Sequence, residues 1–205
     1  MRKLLPVIIL VAVAVAAYFL FFNKKNEKSF SGQKSIESER VAVKNHSGEF
    51  NESVSTALNN YFELKASLVD ADTAKVKATT AGFVAALNQI KTDELNKESE
   101  AISQSAKMQI EDISTNALAL QNEHDLTEMR QDFRMISENL YPFLKTIKYE
   151  GPTLYWQNCP MAFGEDKEAN WISNTKEIIN PYLGKNHPEF KSSMLHCGEI
   201  KDTIK

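Results

Sequence analysis

Along the middle of this chain, apolar residues recur at alternating steps of four and three. Phe50, Val54, Ala57, Tyr61, Leu64 and Leu68 form the first series, the spacing of one stripe on an amphipathic helix. Asp70-Ala71-Asp72-Thr73 ends that helix and caps the next, because short acceptor side chains satisfy the free N–H groups of a first turn. A second helix is predicted over 73–91, with Val76, Thr80, Phe83, Leu87 and Ile90 on its stripe. A third begins at Thr92-Asp93-Glu94 and carries Ile102, Ala106, Ile110, Ile113, Ala117 and Leu120. Asp125-Leu126-Thr127-Glu128 is a variant capping box that opens a fourth. Its stripe is the cleanest: Leu126, Met129, Phe133, Ile136, Leu140, Phe143 and Ile147. Pro142 kinks that helix or marks its last turns. Met108, Met129 and Met135 fall at helical spacing and read as core filler.

The period breaks after Tyr149-Glu150-Gly151-Pro152. Residues 153–156 have strand-forming composition, and 170–173 can pair with them. Residues 175–179 read as one or two helical turns, stopped by Asn180-Pro181, and 163–168 as an exposed connection. The predicted fold class is all-α: an up-down four-helix bundle over 50–150 with a small irregular, β-containing C-terminal cap over 151–205.

Upstream, residues 4–22 form an uncharged apolar run, flanked by Arg2 and Lys3 before it and Lys24 and Lys25 after it. The run nearly matches the ~20 residues that cross a bilayer. Cleavage after a small-x-small site such as Ala14-Val15-Ala16 would leave Tyr18, Phe19, Leu20, Phe21 and Phe22 at the new end. We read 1–23 as an uncleaved signal-anchor, single-pass in the inner membrane, with the bulk of the chain extracytoplasmic. Residues 24–49, rich in Lys, Ser, Glu and Asn with no apolar period, read as a flexible stalk.

Composition sharpens this picture modestly. The 205 residues are 42% hydrophobic and 25% charged, the balance of a folded domain, and seven glycines are few for a turn-rich β architecture. A net charge of −3 supplies no basic field for nucleic acid. Phosphate-cradling glycine loops, nucleophile elbows, His-Glu-x-x-His and dinucleotide fingerprints do not occur, so an enzyme is not expected.

What remains is sulfur. Cys159-Pro160-Met161 and Met194-Leu195-His196-Cys197 hold both cysteines of the chain, and thiolate, thioether and imidazole are the donors that soft Cu(I) prefers. If the fold joins the two clusters, Cys159, Met161, Met194, Cys197 and possible donor His196 form a soft-metal site, shielded by Trp156 and Trp171. The plainer alternative is a Cys159–Cys197 disulfide, with methionines and tryptophans packing a small cap. His187, before Pro188 in a polar loop, reads as a surface residue.

Cys159-Pro160-Met161-Ala162, Trp171-Ile172-Ser173, Ile179-Asn180-Pro181-Tyr182-Leu183-Gly184 and Met194-x-x-Cys197-Gly198-Glu199-Ile200 together resemble an uncharacterised bacterial extracytoplasmic domain family, a domain of unknown function. That family occurs alone behind a signal or anchor, or attached to periplasmic adaptor subunits of copper and other heavy-metal efflux pumps. The text Tyr61-Phe62-Glu63-Leu64-Lys65 and the alanines after it are similar to the opening of its helical half. The resemblance spans roughly 50–200 and implies Cys159, Met161, Met194 and Cys197 as metal contacts. It implies an efflux adaptor or pump as partner and an accessory role, since the adaptor part is absent. Leu183 stands where the family favours an aromatic, Glu168 where glycine is common, and 185–191 looks like an extra loop.

Overall fold

The structure is a computed structural model that describes residues 45–205. The predicted anchor, and the stalk up to residue 44, lie outside the described residues. Among the described residues no helix is long and apolar enough to cross a membrane.

Helix α1, Gly48–Asp70, begins two residues before the predicted start. The segment ahead of it is tied down by side chains rather than left as stalk. Glu150 accepts from the Asn45 and His46 backbone amides at 2.7 and 3.3 Å, and buried His46 donates through Nε2 to the Ile147 carbonyl at 2.7 Å. The Ser47 hydroxyl then accepts from Phe50 N as the N-cap. At the other end Ala71 turns left-handed (φ 59°), and its N–H and that of Asp72 take up the last free carbonyls of Leu68 and Ser67. Asp72 caps helix α2, Thr73–Leu87, by accepting from Lys75 N at 2.9 Å.

Two helix boundaries differ from the periodicity. Helix α2 stops at Leu87 instead of Lys91, and the third helix does not start at Thr92. Thr92–Lys97 is a short 3-10 helix, and helix α3, Glu100–Asn122, starts behind Ser99 as its cap. The reason is local: over 92–99 the sequence offers one apolar residue, Leu95, which is fully buried. A single anchor fixes one tight turn but cannot define an α-helical stripe. Helix α4, Leu126–Thr146, is capped by Asp125 as expected and runs through Pro142 for one more turn. Of the three methionines read as core filler, Met129 is buried. Met108 and Met135 are 65% and 46% exposed.

Consecutive helices pack on one another, and α4 also packs on a small sheet. The core centres on Tyr61, whose ring stacks on Phe133 at 5.2 Å and lies 5.9 Å from Phe83. The sheet contains β1 (Leu154–Cys159), β2 (Ala169–Ser173) and β3 (Glu199–Ile204), all antiparallel in the order β2-β1-β3. The predicted strand pair is present, with Trp156 opposite Ile172. The third strand was not anticipated: Glu199–Ile204 alternates poorly and buries little beyond Ile204, the signature of an edge strand. The helical turn expected over 175–179 is absent: 174–177 form successive bends, because Gln157 Nε2 donates to the carbonyls of Thr175 and Glu177 at 3.0 and 3.1 Å.

The opposite edge, β2, is closed by two tyrosines. The Ile172 amide donates to the Tyr61 hydroxyl, and the Tyr182 hydroxyl donates to the Asn170 carbonyl. Residues 170 and 172 present backbone groups on the same side of the strand, so the pair occupies one stretch of open edge. An uncovered edge invites pairing with another chain, and buried backbone groups need partners.

Candidate functional site

Cys159 ends β1 and Cys197 lies two residues before β3, so antiparallel pairing of Asn158 with Glu199 carries the two together. Their Sγ atoms stand 3.0 Å apart, and both are free thiols. Cys159 is wholly buried, while Cys197 is half-buried against the core. Burial and the neighbouring Cys159 thiol push the Cys197 thiol up to about 12. It therefore rests as a neutral thiol near pH 7, a weak nucleophile until something draws off its proton.

The Asn-Pro-Tyr-Leu-Gly segment positions Cys197. Asn180 is fully buried. Its Oδ1 accepts from the amides of Tyr182 and Leu183 at 2.8 and 3.0 Å, and its Nδ2 donates to the Cys197 carbonyl at 2.9 Å. Its own amide donates to the Leu195 carbonyl at 2.9 Å. One side chain thus fastens the 180–184 turn to the segment carrying Met194 and Cys197. Gly198 completes the approach: its φ is +145°, and a Cβ there would meet the Asn158 carbonyl oxygen at 2.6 Å and the Trp171 ring at 3.0 Å. Only glycine passes that close to β1.

The predicted donors divide. Cys159 and Cys197 are brought together. Met194 is linked to Cys197 through a turn in which the Cys197 amide donates to the Met194 carbonyl at 3.0 Å, and its side chain packs against the core. Met161 is 37% exposed and lines a groove against α4 whose walls include neither cysteine. His196 is exposed, and its Nδ1–H donates to the Ile178 carbonyl at 2.8 Å, which leaves Nε2 as its acceptor nitrogen. Among the described residues no cluster of three or more His, Cys, Asp or Glu side chains could hold a metal ion. A sulfur-only donor set falls outside that grouping, because methionine is not among those residues.

Of the two tryptophans, Trp171 lies by Gly198 and edge-on to Tyr182 at 6.0 Å. Its indole N–H is buried without a hydrogen-bond partner, as are Gln157 Oε1 and Asn158 Oδ1 on β1. Trp156 stacks instead on Tyr141 of α4 at 4.4 Å. His187 is half-buried rather than a plain surface residue: Nδ1 accepts from the amides of Glu189 and Phe190, and the ring stacks on Phe190 at 4.9 Å.

Periodicity and ligand spacing did not point to Asn180 or Tyr182 as the residues that fix the cap. The available signal was the rigid Asn-Pro-Tyr text itself. No curated protein and no solved structure matches the chain. Residues 57–150, most of the helical part and none of the cysteine-bearing cap, match the sequence model of a family described as a protein of unknown function (DUF3347).

Proposed function

We propose that the C-terminal cap holds a soft metal ion, Cu(I) by preference, between the thiolates of Cys159 and Cys197, with the Met194 thioether as a third donor. The observation that carries this reading is the 3.0 Å separation of two free thiols drawn from positions 38 residues apart. Thiolate and thioether sulfur select Cu(I) over hard cations. The Cys197 thiol is neutral at rest, so loading releases its proton, and affinity rises with pH. Met161 and His196 stand as outer donors, with the His196 ring already oriented by its bond to Ile178. The four helices, in up-down order, serve as a pedestal. The chain acts as a binding protein, not a catalyst: a membrane-anchored, extracytoplasmic accessory of heavy-metal efflux, working beside an efflux adaptor or pump.

The same distance favours a second reading, in which oxidation joins the pair as a disulfide and the protein is a structural or interaction module with no metal site. Removal of chain entropy across such a loop stabilises by about 3–4 kcal/mol.

Thiol counts without reductant, followed by Cu(I) titration of the reduced full-length chain against a competing chelator, separate the two. The expected result is two free thiols and one tightly held Cu(I). That binding is abolished by Cys159→Ser and weakened by Met194→Ala, with smaller losses for Met161→Ala and His196→Ala. Absence of free thiols together with no copper retention after reduction overturns the metal reading and leaves the disulfide module.

A further inference from the structure

The described residues contain two arginines, Arg130 and Arg134, one turn apart on α4, and both line the same groove. This groove, about 630 Å³, runs between the first half of α4 and two cap loops, 161–168 and 182–190. Neither arginine joins an ion pair among the described residues. Arg130 is only 5% exposed, and its partners are two carbonyls: Nε donates to Pro181 at 3.1 Å and Nη2 to Leu68 at 3.3 Å. A buried cation met only by neutral acceptors is incompletely compensated, and a guanidinium keeps further donors in a fork that matches a carboxylate.

We propose that this groove binds the carboxylate of a small organic monoacid with an apolar body, anchored by Arg130 and steered by Arg134. Aromatic side chains supply the apolar wall. Phe163 and Tyr182 lie 5.3 Å apart, and Phe190 carries the stacked His187. Lys167 adds a cation at the rim, and Asp166, Glu168 and Glu189 stand there too. Those three acids repel a second negative charge, so a monocarboxylate is preferred to phosphate or a diacid. The volume lies in the range of small-molecule sites. The inference is independent of the cysteine pair, since neither Cys159 nor Cys197 lines the groove, and Met161 is the one proposed donor that does.

Calorimetric titration of the full-length chain with N-acetylphenylalanine, its methyl ester and inorganic phosphate tests it. The acid is expected to bind, the ester about tenfold or more weaker because the charge-assisted contact is gone, and phosphate more weakly than the acid. Arg130→Gln also removes the clamp on α1, so the diagnostic variant is Arg134→Gln, which is exposed and should weaken the acid several-fold without changing the melting temperature. Equal binding of acid and ester, phosphate binding tighter than the acid, no heat with the acid at millimolar concentration, or an unchanged affinity in Arg134→Gln would each overturn the proposal.

Discussion

The hydroxyl of Tyr61 lies 3.1 Å from the amide nitrogen of Ile172, 111 residues further along, and accepts its proton. It also meets the Ser137 hydroxyl at 2.7 Å, so one buried phenol joins α1, α4 and the free edge of the sheet. Burial raises its ionisation far above the ordinary tyrosine range, so it remains a neutral donor and acceptor throughout the working pH range.

Tyr61→Phe removes that junction while leaving the ring stacked on Phe133. It strands a buried amide on β2, so unfolding in urea should show a loss of about 1–3 kcal/mol. Amide exchange at Ile172 should accelerate more than at the α1 helical amides, and an unchanged rate there would show that the edge is covered some other way.

Lys65 is 8% exposed and donates to the Ser173 hydroxyl at 3.2 Å, with no carboxylate partner among the described ion pairs. Burial lowers its titration from 10.5 to about 8. The charged form is therefore disfavoured in the folded state, and below pH 8 the full cost applies, about 3 kcal/mol. Between pH 8 and pH 10.5 the unfolded chain binds more protons than the folded one, so stability from this group rises with pH across that window. Lys65→Met should stabilise the protein at pH 7 and flatten the rise between pH 8 and pH 10, both readable from thermal melts across pH.

Asn180→Ala leaves the amides of Tyr182 and Leu183 without their acceptor and frees the Cys197 carbonyl. A stability loss of about 1–3 kcal/mol is expected. A second effect separates positioning from mere packing: alkylation of Cys197 by iodoacetamide at pH 8, slow in the parent because the thiol is protonated, should speed up once the segment is released. Asn180→Asp keeps the acceptor and should recover part of the stability.

Gly198→Ala places a methyl group against the Asn158 carbonyl at 2.6 Å in a left-handed backbone. The strained conformation alone costs about 1–3 kcal/mol, and relief of the clash must push Cys197 away from Cys159. The variant should lower the melting temperature and reduce disulfide formation under mild oxidant. Gly164→Ala, with open space around its Cβ position, should leave the cysteine pair untouched.

Short-range physics made much of this chain legible from its residues. Helical stripes and the Asp72 and Asp125 caps depend on neighbours a few positions away, and the pairing of 153–156 with 170–173 on two strand-forming segments joined by one connection. The exposure of Met108 and Met135 was not legible, because a stripe fixes which residues share a face but not how wide the neighbouring helix covers it. The third strand and the bends over 174–177 were also hidden, since Glu199–Ile204 gains its order by pairing with β1 and the bends gain theirs from Gln157.

The sequence by itself determined that four amphipathic helices precede a sulfur-bearing tail, since hydrophobic period and caps are local properties. Tertiary structure alone decided that Cys159 and Cys197 touch, that Met161 lines a groove containing neither, and that two tyrosines seal β2. Those outcomes follow from register, from one buried asparagine and from a glycine passing close to a carbonyl, contacts between residues far apart in the chain that no local pattern encodes.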